Sequence, residues 1–173
     1  MNTTTADINF HELCEKLRSM KLSSMADTLE KQLANPNSGL QSFDERISEI
    51  ICSEWDNRYN KKFNRFLKKA TLKYPTADID ESIYDADRFL DTGTIERLAA
   101  CDWIDEGKNL LITGSTGSGK TYISNALCIS ALRLFHTVRY VKASTLIYEL
   151  EQAQVAGEYL NYTKKLAALD LLV

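Results

Sequence analysis

Residues 109–127, NLLITGSTGSGKTYISNAL, restrict the fold of this chain more than any other stretch. An apolar run, 109–113, suits a buried parallel strand. A glycine-rich loop follows, and the loop opens a helix that the pattern carries to Phe135. Gly114-Ser115-Thr116-Gly117-Ser118-Gly119-Lys120-Thr121 fits GxxxxGK[ST] at every fixed position. The glycines let the backbone wrap closely, so that successive N–H groups point inward at phosphate oxygens. The helix aims its positive N-terminal end at the same anion. Lys120 is placed to reach the β- and γ-phosphates and the Thr121 hydroxyl to ligate Mg2+, with Tyr122 the next residue of the site.

The alternation continues beyond the loop. VRYVKA (138–143) reads as a second strand and 144–156 as a second helix, broken by Gly157. A third helical piece covers 158–168, and the final DLLV starts a third strand. Alternation of this type predicts an α/β fold with a parallel sheet.

The first 75 residues have a different pattern. Leu13, Leu17, Met20, Met25 and Leu29 recur at helical intervals, so 9–34 is a helix or a helix pair. NPNSG (35–39) breaks it. Ser42 and Glu45 then make a capping box. The helix they open runs toward residue 72, with Ile47, Ile51, Trp55, Tyr59, Phe63 and Leu67 every fourth residue and Pro75 ending it. Residues 76–108 are acidic and mixed, with Asp78, Asp80, Asp85 and Asp87 suited to caps and turns. The division is therefore a helical N-terminal domain (1–75), an acidic connecting segment (76–108), and the N-terminal part of a P-loop core (109–173).

A net charge of −3 conceals segregation: residues 54–73 carry 7 basic and 2 acidic side chains, whereas 74–113 carry 3 and 10. Arg58, Lys61, Lys62, Arg65, Lys68, Lys69 and Lys73 recur every three or four residues, opposite Trp55, Tyr59, Phe63, Phe66, Leu67 and Ala70. Such a helix packs its aromatic face on protein and presents cations to the phosphates of double-stranded DNA. Contacts of this kind give affinity and salt dependence with little sequence reading. No apolar run approaches the roughly 18 residues of a membrane span, and the N-terminus has no apolar signal core. Cys14, Cys52, Cys101 and Cys128 lie far apart and away from His11 and His136, which predicts reduced, buried thiols, no zinc site and a cytoplasmic setting.

With both motifs in hand, the chain resembles the IstB-like ATP-binding family, helper ATPases of insertion-sequence transposition related to the DnaC and DnaI helicase loaders of the AAA+ class. The likeness rests on LRSMKLSSMADTLEKQ, FDERISEIICSEWDNRYNKKFNRFLKKATLKYP, ERLAACDWIDEGKNLLITGSTGSGKTYISNALCISAL and VRYVKASTLIYELEQAQVAGEYLNYTKKLAALDLLV. It implies an AAA+ P-loop core behind a helical domain, ATP or ADP with Mg2+, a transposase partner, and homo-oligomers on DNA. Gly114, Gly117, Gly119, Lys120 and Thr121 match the family's Walker A positions. In the family, LAALDLLV continues as a strand ending in two acids, the Walker B motif. The sequence ends at Val173 within that strand, and Asp170 precedes the apolar run, at the wrong end to replace those acids. The expectation is a chain truncated in its third strand that binds nucleotide without useful turnover.

Three alternatives stay open. One is a DnaC-like helicase loader; another is a DNA-binding or interaction module in which nucleotide is incidental. A small-molecule P-loop kinase would want a substrate lid that is not visible. The adenine-binding residues also stay open, although Tyr84 and Arg88 precede the core at a suitable place.

Overall fold

Asn9 starts the first helix by accepting a hydrogen bond from His11 N at 3.2 Å. A computed structural model describes residues 9–80 and 91–173. Helix α1 (Phe10–Ser19) and helix α2 (Ser23–Ala34) resolve the predicted helix or helix pair as a pair. Lys21, at φ 61°, makes the break between them. Cys14 and Ala26 are buried there, and Arg18 clamps Asp27 and Glu30 at 3.1 and 2.8 Å. Asn35 caps a short 3-10 turn, Pro36–Leu40. The capping box is present: Glu45 accepts from Ser42 N at 2.8 Å, and Ser42 Oγ accepts from Glu45 N at 3.3 Å. It opens α3, Phe43–Ala70.

The chain forms two compact units, Met1–Lys61 and Lys62–Val173, and the division falls inside α3. In the first unit α3 meets α2 through polar groups. Gln32 Nε2 donates to Arg46 O at 3.0 Å and to Glu49 Oε2 at 2.7 Å. Glu54, only 7% exposed, accepts from Ser24 N at 3.0 Å and from Arg58 Nε at 2.7 Å. The Arg58 hydrogen bond, helped by the Ser24 and Met25 N–H groups, holds this carboxyl below its ordinary value of 4.5. A depressed carboxylate stabilises the fold above the unfolded value and ceases to do so as pH falls through the folded one. Glu54→Gln should therefore flatten the acid side of the stability profile. Urea midpoints measured from about pH 6 to pH 3 check this, and an unchanged acid slope would contradict it.

The four-residue stripe on α3 is not one buried face. Each four-residue step overshoots a 3.6-residue turn by about 40°, so the stripe winds around the helix. In the first unit Ile50 is buried, while Ile47, Ile51 and Trp55 are 36%, 53% and 71% exposed. In the second unit Phe63, Phe66 and Leu67 do pack, against a core of Ala70, Cys101, Ile104, Cys128, Leu132 and Val138. The helix also stops at Ala70, before Pro75. Thr71 takes φ 54°, and the Ala70 carbonyl accepts from Tyr140 N at 2.8 Å. Pairing with the strand region captures the carbonyl that another turn would have used.

Helix α4 (Thr92–Ala99) is capped by Asp91, and α5 (Asp102–Asp105) follows Cys101 at φ 67°. Asp78 accepts from Asp80 N at 3.1 Å, as a turn aspartate does; Tyr84, Asp85, Asp87 and Arg88 lie outside the described residues. Helix α6 (Lys120–Arg133) leads to strand β1 (Val138–Arg139), helices α7 (Ala143–Val155) and α8 (Tyr159–Ala167), and strand β2 (Leu171–Leu172). The strands pair in parallel, Val138 with Leu171 and Arg139 with Leu172. Asp170 clamps the strand entry, accepting from Thr137 N at 2.7 Å and Thr137 Oγ1 at 2.8 Å.

Two strand expectations are corrected. The second strand is regular only over Val138–Arg139, although Val141 N still reaches Val173 O at 2.7 Å. The run 109–113 forms no regular strand, and Leu111 is 85% exposed. A strand needs a neighbour for its backbone groups, and the β1–β2 pair does not border this run. A cavity of about 320 Å³ is lined by Asn109, Leu110 and Ile112 and by Asp170, Leu171, Leu172 and Val173. Cys52 is a further correction: it is exposed, while the other three thiols are buried. Distinct, too, is the packing of Leu132, 0% exposed at the centre of the second unit. Leu132→Ala should cost about 3 kcal/mol of unfolding free energy, through lost transfer energy and a residual void. Urea denaturation measures this directly.

Candidate nucleotide and nucleic-acid sites

The glycines of the loop take backbone conformations that other residues rarely adopt: Gly117 has φ 84° and Gly119, at the start of α6, φ 88°. A Cβ at Gly114 would come 3.0 Å from Ser118 Oγ, so this close approach also needs glycine. Ser118 N donates to Ser115 O at 3.3 Å, closing the turn around the exposed Thr116. The first N–H groups of α6 have no carbonyl one turn earlier within the helix. Lys120 Nζ donates to Gly114 O at 2.9 Å and Ser115 O at 2.6 Å, which holds the ammonium across the loop. A phosphate oxygen is charged and accepts more strongly than these carbonyls.

This cradle, cation and helix start fit a phosphate chain. Thr121, the next residue, lines the same cavity of about 400 Å³ with Tyr74, Gly117, Gly119, Lys120 and Tyr122. For Mg2+ the protein offers the Thr121 hydroxyl, and among the described residues no carboxylate lines the cavity. Magnesium takes most of its ligands from water and substrate phosphates, so one hydroxyl is compatible with it. Asp170, engaged with Thr137, does not contribute. No cluster of three or more His, Cys, Asp or Glu able to hold a metal occurs among the described residues, nor is any described helix long and apolar enough to cross a membrane.

The sequence pattern missed the segment that walls this cavity. Tyr74 N donates to Asn125 Oδ1 at 3.1 Å, and Asn125 Nδ2 donates to Thr121 O at 2.7 Å. Tyr122 OH accepts from Asp78 N at 3.2 Å, and Arg133 pairs with Asp78 at 3.0 Å. These contacts strap residues 74–78 along α6. They join positions some fifty residues apart, and no local spacing signals them.

The basic residues divide by environment. In the first unit Arg58 is engaged, by Glu54 and by Lys21 O at 3.0 Å, whereas Lys61 is exposed. In the second, Lys62 Nζ lies 3.7 Å from the Phe135 ring centroid and Lys73 Nζ 5.2 Å from that of Tyr74. Arg65, Lys68 and Lys69 are exposed. They lie on the side of α3 away from the packed Phe63, Phe66 and Leu67, as the helical spacing requires.

The family model described as IstB-like ATP binding protein matches residues 15–173, which include both the loop and the basic segment. The chain belongs to this family. A Pseudomonas fluorescens relative, named for insertion sequence IS1162 and for ATP binding, is 35% identical over 158 residues, covering 91% of this chain and 68% of the relative. A Sinorhizobium fredii relative, also named for an insertion sequence and ATP binding, is 32% identical over 163 residues, covering 94% of this chain and 65% of the relative. A Mycobacterium tuberculosis relative named in the same terms is 30% identical over 134 residues, covering 78% of this chain and 53% of the relative. The chain thus spans 68% and 65% of the first two relatives' own lengths. Membership of the IstB-like family supports nucleotide binding as the family's shared property.

Proposed function

We propose that this IstB-like chain is an ATP-binding helper of insertion-sequence transposition, holding ATP or ADP with Mg2+ on residues 114–122 and double-stranded DNA through its basic segment. The observation that carries the reading is the Lys120 ammonium held across a glycine cradle at the start of α6. On binding, the triphosphate takes over the Lys120 hydrogen bonds and accepts from the N–H groups at the start of α6. Thr121 offers its hydroxyl to the metal, which would neutralise phosphate charge. With no carboxylate among the described residues lining the cavity, these residues bind and orient nucleotide but are not assigned its hydrolysis.

In this reading residues 1–75 bind DNA and partners, 76–108 connect, and 109–173 belong to a P-loop core of the AAA+ type. The setting is cytoplasmic, the protein partner a transposase, and the working form a homo-oligomer. The names of the relatives, tied to insertion sequences, support the transposition role. In the first unit the exposed Phe43, Ile47, Ile51 and Trp55 are apolar surface of the kind a protein partner covers. That no carboxylate among the described residues lines the cavity favours a second reading, a DNA-binding module in which nucleotide is incidental.

DNA affinity measured with and without ATP and Mg2+ separates the two readings. A helper changes its DNA affinity several-fold on adding ATP, on the scale of ordinary coupling energies, and Lys120→Ala removes the response. DNA affinity indifferent to both nucleotide and Lys120 would establish the second reading instead.

A further inference from the structure

The cavity beside the phosphate loop extends past Thr121 to two aromatic rings, Tyr74 and Tyr122, with centroids 6.2 Å apart and planes at 46°. Gly117, Gly119, Lys120 and Thr121 account for a phosphate chain and its metal. The two tyrosines account for nothing in that chemistry. We infer that Tyr74 is the wall that receives the base of the nucleotide, and so sets the preference for a nucleoside triphosphate over a bare one.

Three features support this role. The backbone of Tyr74 is tied to the phosphate-binding helix through Asn125, which is 0% exposed and bonds to both Tyr74 N and Thr121 O. The backbone of Tyr74 is therefore held beside the metal-side threonine. The Tyr74 residue itself remains 39% exposed, although its neighbours Ala77 and Asn125 are buried. Tyr122, by contrast, has its hydroxyl held by the backbone of Asp78, which fixes its ring as the adjoining wall. A preset aromatic surface beside a phosphate site suits a purine, because stacking needs only a π face and a fixed ring loses little freedom on binding. Lys73 lends its ammonium to the same ring.

The inference rests on the nucleotide reading above, and the test separates the two. Binding of ATP and of inorganic tripolyphosphate, each with Mg2+, is measured on the wild-type chain, Tyr74→Ala and Tyr74→Phe. Tyr74→Ala should weaken ATP on the order of tenfold, the usual scale of one lost base–aromatic stack, and leave tripolyphosphate unchanged. Tyr74→Phe should retain ATP affinity. Equal loss of both ligands in Tyr74→Ala would make Tyr74 a support of the loop and overturn the base-wall role, as would unchanged ATP binding. If the wild-type chain binds neither ligand, the phosphate site itself is wrong and the inference goes with it. Tripolyphosphate binding without any preference for ATP would overturn the base wall alone.

Discussion

Lys120→Ala is expected to reduce ATP affinity by on the order of 100-fold, about 3 kcal/mol. The ammonium is the one cation that lines the candidate cavity among the described residues, and it already spans the loop between Gly114 O and Ser115 O. Alanine removes two charge-assisted hydrogen bonds to phosphate while leaving the glycine cradle and the start of α6 in place. Fold should survive, because the Lys120 side chain packs in neither hydrophobic cluster. Displacement of a fluorescent ATP analogue reads the affinity, and a retained thermal midpoint shows the fold is intact. Equal affinity in folded wild-type and variant protein would mean that the loop is a glycine-rich turn carrying a surface lysine.

Arg65→Glu, Lys68→Glu and Lys69→Glu together should abolish DNA retention at moderate salt, with affinity falling at least about 100-fold and the salt slope shrinking by roughly three counterions. These three side chains are exposed and none belongs to the buried core, although Arg65 Cζ lies 5.7 Å from the Phe66 ring centroid. Lys62 is spared, since its Nζ stacks on Phe135 at 3.7 Å and reversal would disturb packing as well as charge. Arg58 is spared for its bond to the buried Glu54. Filter retention across a salt series gives both affinity and slope. A triple variant that holds duplex DNA as the wild type does would remove the basic-segment assignment.

Local patterns were the legible ones. The Ser42–Glu45 box and the 114–121 loop are each closed by bonds within a few residues, so their chemistry can be read from adjacent letters. The parallel pairing of 138–139 with 171–172 was also within reach, because strand–helix alternation implies such a crossover. The run 109–113 has the apolar character of a strand, but strand identity depends on a neighbour that composition does not specify. The α3 stripe misled because a period of four drifts around a helix whose turn is 3.6 residues. Its first half turns out exposed at Ile51 and Trp55. Residues 74–78 gave no hint of lying along α6, since Asn125 and Tyr122, which hold them, are some fifty positions away. The local geometry of the 114–121 loop was thus legible in the sequence, and the placing of Tyr74 beside it was not.

Calorimetric titration of ATP with Mg2+ into the folded wild-type chain tests the central claim most directly. The account predicts a saturable heat with one nucleotide bound per chain, reproduced by ADP and lost in Lys120→Ala. Absence of heat from both nucleotides, on protein whose helical spectrum and cooperative unfolding show it to be folded, would contradict it.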